Sequence, residues 1–294
     1  MNDRLRLAIQ KSGRLSDRSK DLLERAGITL EWRSGRLDCR ALDFPLDVML
    51  VRDDDIPEYI ADGSCHLGMV GANMLVERLD CRGKQQRYTT LRPLEFGRCR
   101  LSIAVPKDGP LHSPRDLSGK RIATSYPNTV KRYLQEQQLE AEIIEIAGSV
   151  EIAPTLGVAD AICDLVSTGG TLVSNGLIEI ATVYSSEAVL AKTSKPLTPE
   201  QSVTLDRLTT RLAGVVRAEK AKYIMMNAPA DAVEVIRSLI PGLEEPTVMP
   251  LHSQRNRVAI HAVAPEPIFW ETMERLKAAG ASSILVVPIE KIFD

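Results

Sequence analysis

Apolar residues alternate with arginine over residues 5–9, a period of two that predicts a strand. Lys11-Ser-Gly-Arg14 follows as a turn. Ser16 can then cap a helix running to about Ala26, with Leu22, Leu23 and Ala26 on one face and Gly27 as its left-handed stop. Strand patterns recur at 28–32, 37–41 and 46–51. Asp54 or Asp55 can cap the next helix, which has Pro57 in its first turn and ends at Gly63, before a strand at 66–70. A similar rhythm returns further on: strands at 101–105 and 119–124, a helix at 128–138, a short helix capped by Ser149 and ending near Gly157, and a strand at 160–164. Alternating strands and helices predict parallel sheets covered on both faces, and two such lobes leave a cleft outside the carboxyl ends of their strands.

The last third has another pattern. Residues 195–201 are polar, contain two prolines and read as a linker; 203–220 reads as a helix. A strand (222–227), a helix (230–239), two strands (247–251 and 257–263), a helix (267–279) and a strand (284–289) follow. That order is βαββαβ, the ferredoxin-like arrangement, with Gly280 as a helix stop.

Composition changes this picture by exclusion. A formal net charge of −2 lacks the basic excess of a nucleic-acid binder, and 4% aromatic residues give few platforms for stacked bases. The five cysteines, Cys39, Cys65, Cys81, Cys99 and Cys163, form no CxxC pair and are odd in number. They argue against a zinc site or a disulfide framework and for a reducing cytoplasm. No signal-type apolar region follows Met1, and no apolar run reaches the ~18 residues of a membrane helix. The expected protein works in the cytoplasm, with no nucleic-acid partner and no membrane.

Three segments carry candidate chemistry. Asp164-Leu-Val-Ser-Thr-Gly-Gly-Thr171 follows a predicted strand. Its glycines allow close backbone approach, its N–H groups can cradle a phosphate, and Ser167, Thr168 and Thr171 add hydroxyls; Asp160 and Asp164 can bind ribose hydroxyls or a metal-linked sugar. A tight turn with Ser and Thr caps is the alternative. Lys11 and Arg14 flank Gly13 just after the first strand, where they can pair with phosphates or stand as solvated charges. Arg52-Asp-Asp-Asp55 also follows a strand. Arg52 can stabilise a leaving pyrophosphate, and the carboxylates can orient Mg²⁺ or cap the next helix. The chain has no GxSxG, HExxH or GxxxxGK[ST] motif, so a bound nucleotide is not held by a P-loop. His112 and His252 read as surface or structural; Met225-Met226 and Phe269-Trp270 read as packing of the small domain.

The chain resembles the long form of ATP phosphoribosyltransferase. The resemblance is carried by Gln10-Lys-Ser-Gly-Arg-Leu15, Val51-Arg-Asp-Asp-Asp-Ile-Pro57, Gly119-Lys-Arg-Ile-Ala-Thr-Ser-Tyr-Pro127, Ala159-Asp-Ala-Ile-Cys-Asp-Leu-Val-Ser-Thr-Gly169, Lys222-Tyr-Ile-Met-Met226 and Gly280-Ala-Ser-Ser-Ile-Leu285, in the same order along nearly the whole chain. It implies an α/β fold: a two-lobed catalytic core like a type II periplasmic binding protein, plus a C-terminal ferredoxin-like regulatory domain. The implied domains are 1–97 with 181–220 as the first catalytic lobe, 98–180 as the second, and 221–294 as a histidine-binding domain. The implied partners are ATP, phosphoribosyl pyrophosphate (PRPP), Mg²⁺, histidine, and further copies of the chain in a homohexamer built from dimers.

On this resemblance Asp164, Ser167, Thr168, Gly169, Gly170 and Thr171 hold the ribose and 5-phosphate of PRPP. Lys11, Arg14 and Arg52 face the phosphates of ATP or the pyrophosphate, Arg14 and Arg52 being the catalytic pair. Histidine binds near Asn227, Thr247, Ser282 and Ser283. Two departures stand out: His66-Leu-Gly68 where the family pattern has Asp-Leu-Gly, and Gly71-Ala-Asn73 where it has Gly-Glu-Asn. No metal ligand is assigned at either. The lobes alone also fit a ligand sensor without catalysis, and the two departures keep open an inactive regulatory paralogue.

Overall fold

The computed structural model describes residues 3–32, 35–78, 87–240, 242, 245–252, 256–265 and 270–293. In chain order its elements are β1 (Leu5–Gln10), α1 (Arg14–Arg25), β2 (Asp38–Arg40), β3 (Leu46–Val51), α2 (Ile56–Ala61), β4 (Leu67–Gly71), α3 (Ala72–Glu77), β5 (Tyr88–Pro93), β6 (Cys99–Pro106), β7 (Arg121–Thr124), α4 (Pro127–Gln137), β8 (Glu142–Glu145), β9 (Ala161–Val166), α5 (Gly170–Ser174), β10 (Leu177–Ser186) and β11 (Ala188–Thr193). These are followed by α6 (Pro199–Glu219), β12 (Ala221–Pro229), α7 (Val233–Leu239), β13 (Thr247–Pro250), β14 (Arg257–Pro265), α8 (Trp270–Ala278) and β15 (Ser282–Pro288). The chain divides into two compact units, Met1–Asp21 with Ile28–Thr204 and Leu22–Gly27 with Leu205–Asp294.

The first unit holds two sheets of one design. The first sheet runs β2-β3-β1-β4-β11-β5 and the second β10-β6-β9-β7-β8. In each, a first strand (β1 or β7) lies parallel between the second (β3 or β8) and the third (β4 or β9). An antiparallel strand, β11 or β6, then joins the third strand to a fourth, β5 or β10. The chain crosses to the second sheet between β5 and β6 and returns between β10 and β11, so it passes between the sheets twice. This is the two-lobed, type II periplasmic-binding-protein arrangement. Strands at the middle of each sheet, such as Ala161-Ile-Cys163, are buried without alternation because both faces are covered.

The second unit contains a four-stranded antiparallel sheet in the order β13-β14-β12-β15, the ferredoxin-like order. Ile224, Met226, Ile260 and Ala262 pack with Ile236 of α7 and Leu276 of α8.

Several expectations are corrected locally. Ser16 caps nothing: α1 begins two residues earlier, because Gly13 at φ +96 turns the chain and its carbonyl accepts the Asp17 N–H (3.2 Å). Ser16 lies inside the helix on its buried stripe with Ser19 and Leu23. Neither Asp54 nor Asp55 caps α2 through its side chain. The turn before it is already closed by backbone bonds, Asp55 N–H to Arg52 O (3.2 Å) among them. Ser149, at φ +49, precedes only a 3₁₀ turn. The strand expected at 28–32 is reduced to a single bridge, Leu30 to Ala41. β10 lies wholly in the second sheet, so the chain returns to the first sheet at Ala188, not at 181.

The segment 195–201 is only partly a linker. Thr198 and Gln201 form a reciprocal cap, Gln201 N–H to Thr198 Oγ1 (3.2 Å) and Thr198 N–H to Gln201 Oε1 (3.1 Å), with Pro199 as the first helical residue; α6 therefore starts four residues early. Trp270 is 84% exposed and does not pack the small domain. Phe269, the start of the helix expected at 267, and Cys81 lie outside the described residues.

Candidate functional site

Parallel strands with a common direction deliver their following loops to one edge, where loop residues rather than core residues meet a ligand. At that edge of the first sheet stand Lys11 after β1, Arg52 to Asp54 after β3 and Ala72 after β4. At that edge of the second sheet stand Ser125 and Tyr126 after β7, Ile146 to Gly148 after β8, and Ser167 to Thr171 after β9. Edges of both sheets line one cavity of about 670 Å³, with Arg52, Asp53 and Asp54 on one wall and Ser125, Tyr126 and Gly148 on the other. Its lining is mainly polar, which suits a charged, hydroxyl-rich ligand better than an apolar one.

Arg52 is 78% exposed along its side chain and held in a bidentate fork to Asp54, Nε to Oδ1 at 3.1 Å and Nη2 to Oδ2 at 3.2 Å. The guanidinium is thus aimed yet remains accessible to an anion. Lys11 is anchored by its backbone, donating to Val51 O (2.8 Å), and its side chain is exposed, as is that of Arg14. Neither lines the cavity, nor does the loop at 167–171; all lie at carboxyl ends of neighbouring strands.

In that loop Gly169 has φ +84, a conformation open to glycine but strained for branched side chains. Its carbonyl accepts the Val173 N–H (3.1 Å), which closes the turn into α5 and leaves Ser167, Thr168 and Thr171 exposed. Asp164, two residues before the end of β9, accepts the Leu165 N–H (2.8 Å); burial raises its carboxyl above its ordinary value despite that bond.

Two residues to which the sequence gives no role stand among the contacts between the lobes. Tyr126 packs against hydrophobic clusters of both lobes. Burial, with the carboxylates of Asp164 and Asp53 nearby, pushes its hydroxyl far above its usual range, while a bond to the Asn73 side chain opposes this. Glu77 of α3, only 5% exposed, accepts from Asn128 N–H (2.9 Å), Thr129 N–H (2.9 Å) and Thr129 Oγ1 (2.7 Å), so a carboxylate from the first lobe caps α4 of the second. A signal for this edge was present: Gly148 follows a strand as Gly169 does.

The two departures from the family pattern separate in space. His66 precedes β4, at the edge of the sheet opposite Arg52; its Nδ1 accepts the Arg6 N–H (2.9 Å) and its carbonyl the Thr193 N–H (2.9 Å). Burial, aided by the Arg6 charge, lowers its pKa, which favours the neutral ring. Ala72 stands at the cleft edge.

A family model described as ATP phosphoribosyltransferase matches residues 52–214, more than half of the chain, and one described as HisG, C-terminal domain matches 218–291. The chain belongs to the ATP phosphoribosyltransferase family. Enzymes of this family are pentosyltransferases of histidine biosynthesis, joining N1 of ATP to C1 of PRPP with release of pyrophosphate. Among solved structures, the ATP phosphoribosyl transferase (HisG:HisZ) complex from Thermotoga maritima is similar at 28% identity and TM-score 0.59, over 71% of this chain and 98% of that one. A periplasmic binding protein from Brucella ovis with glutathione bound is similar at 11% identity and TM-score 0.48, over 80% of this chain and 73% of that one.

The four residues expected around histidine divide. Asn227 is paired in register with Ser282, whose Oγ reaches the Asn227 carbonyl (3.4 Å) and accepts from Arg257 Nη2 (2.7 Å); Ser283, at φ +53, is adjacent. Thr247 sits on the edge strand opposite His261, two strand spacings from β12 or roughly 10 Å. One sheet therefore brings three of them together and leaves the fourth apart. Among the described residues, no helix is long and apolar enough to cross a membrane, and no group of three or more His, Cys, Asp or Glu residues could hold a metal ion.

Proposed function

We propose that the transfer takes place between the lobes, with the second lobe holding PRPP and the first supplying cations for phosphate groups. Asp164, Ser167, Thr168, Gly169, Gly170 and Thr171 bind the ribose and 5-phosphate. Lys11, Arg14 and Arg52 face the ATP phosphates and the departing pyrophosphate. The observation that carries this reading is the convergence of strand ends from both sheets on one polar cavity with Arg52 in its wall.

As the bond from C1 to pyrophosphate breaks, positive charge develops on the sugar and negative charge on the leaving group. Fixed N–H donors and an accessible guanidinium stabilise that separation without covalent help. Mg²⁺, when bound, neutralises the pyrophosphate. The donor set fits a cation carried mainly by substrate phosphates: Asp54 is engaged by Arg52, and Asp53 lines the cavity beside it. The ordinary sequence of the loop at 167–171 and the placement of His66 away from the cleft both favour an active enzyme over an inactive paralogue.

Regulation belongs to the same proposal. Histidine binds the ferredoxin-like unit near Asn227, Ser282 and Ser283, with Thr247 contributed by another copy, in a homohexamer built from dimers in the cytoplasm. Histidine and substrates then oppose each other through linkage. The test is pyrophosphate release from the full-length chain with ATP, PRPP and Mg²⁺, with and without histidine. Release that requires both substrates and is suppressed by histidine is expected. Release unaffected by histidine overturns the effector site, and no release from protein that binds both substrates overturns the catalytic assignment.

A further inference from the structure

The residues beneath the glycine loop lie on other strands. Arg100, at the start of β6, is the register partner of Val166, the last residue before the loop. Its guanidinium forms a bidentate pair with Glu179 of β10, Nε to Oε2 at 2.7 Å and Nη2 to Oε1, while Nη1 reaches the Ser167 carbonyl at 3.4 Å. Glu179 in turn lies under Gly169: a Cβ placed there would be 3.8 Å from Glu179 Oε1. The pair therefore holds the loop at residue 167 and lies close beneath residue 169, and both partners are only partly exposed.

Two consequences follow from charge and geometry. Holding the Ser167 carbonyl against Arg100 turns that oxygen away from a bound anion, so the following N–H groups can face it. A carboxylate this close to a phosphate cradle would repel the phosphate unless neutralised, and a bidentate guanidinium supplies that neutralisation.

We infer that Arg100 and Glu179 form a charge-neutral floor that positions the loop for the 5-phosphate of PRPP, Arg100 being a positioning residue that does not touch substrate. This rests on the reading that the loop binds PRPP. The guanidinium holds the loop carbonyl and cancels the carboxylate; Glu179 fixes the guanidinium.

The experiment compares Arg100→Gln, Glu179→Gln and the double variant with the wild type, by calorimetric binding of PRPP and by steady-state KM for each substrate. Arg100→Gln should raise KM for PRPP about 10- to 100-fold, as displaced positioning groups do, with KM for ATP unmoved. Glu179→Gln should have a smaller effect, and the double variant should recover much of the loss, because the uncancelled carboxylate is gone. Unchanged PRPP binding in Arg100→Gln overturns the inference, as does a double variant poorer than Arg100→Gln. The unaltered KM for ATP guards against general misfolding. Wild-type protein that fails to bind PRPP overturns the loop reading itself, an outcome distinct from insensitivity of the variants.

Discussion

The two lobes share a strand order yet differ at their carboxyl edges. The first presents long cationic side chains, Lys11 and Arg52, on short turns. The second presents small exposed hydroxyls, those of Ser149, Ser167, Thr168 and Thr171, around glycines at 148 and 169, both with positive φ. Cations on flexible stems can follow a charge that moves as a bond breaks, whereas a glycine loop fixes a group that stays in place. On the proposed reading the same topology supports two roles, anchoring in one lobe and charge stabilisation in the other, and the division resides in the loops.

Changes at single residues should break that division unequally. Gly169→Val carries the largest expected effect. A branched side chain at φ +84 reshapes the loop, so kcat/KM for PRPP should fall about 100-fold or more while far-UV circular dichroism stays that of the wild type. Arg52→Ala should lower kcat by about 10- to 100-fold, measured as pyrophosphate release at saturating substrates, because it removes a donor needed as charge develops. Unchanged turnover would remove Arg52 from the leaving-group role.

Glu77→Gln tests the connection between the lobes. Losing the charge on a helix cap and disturbing three accepted bonds should lower unfolding stability by about 1–2 kcal/mol in urea titration, with the substrate KM values little changed. Asp164→Asn sharpens the comparison from the binding side. Burial raises the Asp164 pKa, so the folded protein holds that proton to higher pH than the unfolded chain does. Stability is therefore lost as pH rises from the ordinary carboxylate value through the raised one. The variant should accordingly melt higher than the wild type at neutral pH, converge with it in acid, and turn over more slowly. Thermal melts from pH 4 to 8 show whether the difference follows that direction.

Much of this architecture is legible in the chain. The period-two and buried-strand patterns mark β1, β3, β4, β7, β9 and the ferredoxin-like unit, because those segments are bounded by Gly, Pro or Asp. β5, β8, β10 and β11 are not legible in the same way. β10 and β11 are nearly continuous in sequence, separated only by Glu187, yet belong to different sheets, a partition that tertiary pairing decides. The candidate loops at 11–14, 52–55 and 164–171 could be found because glycine and charge follow strands. Tyr126 and Glu77 could not, since their significance lies in contacts with residues of the other lobe; Glu77 reaches Asn128 and Thr129, 51 and 52 positions away. Ser16 misled because a serine before an apolar run reads as a cap, while the left-handed turn at Gly13 had already started the helix.

The central claim is the division of labour between the lobes. Its most direct test is pyrophosphate release with ATP and PRPP varied independently, for wild type and Gly169→Val in parallel. The account predicts saturable release that needs both substrates, and a variant whose KM rises for PRPP but not for ATP. A variant with wild-type KM for PRPP, or with both KM values raised alike, would contradict it.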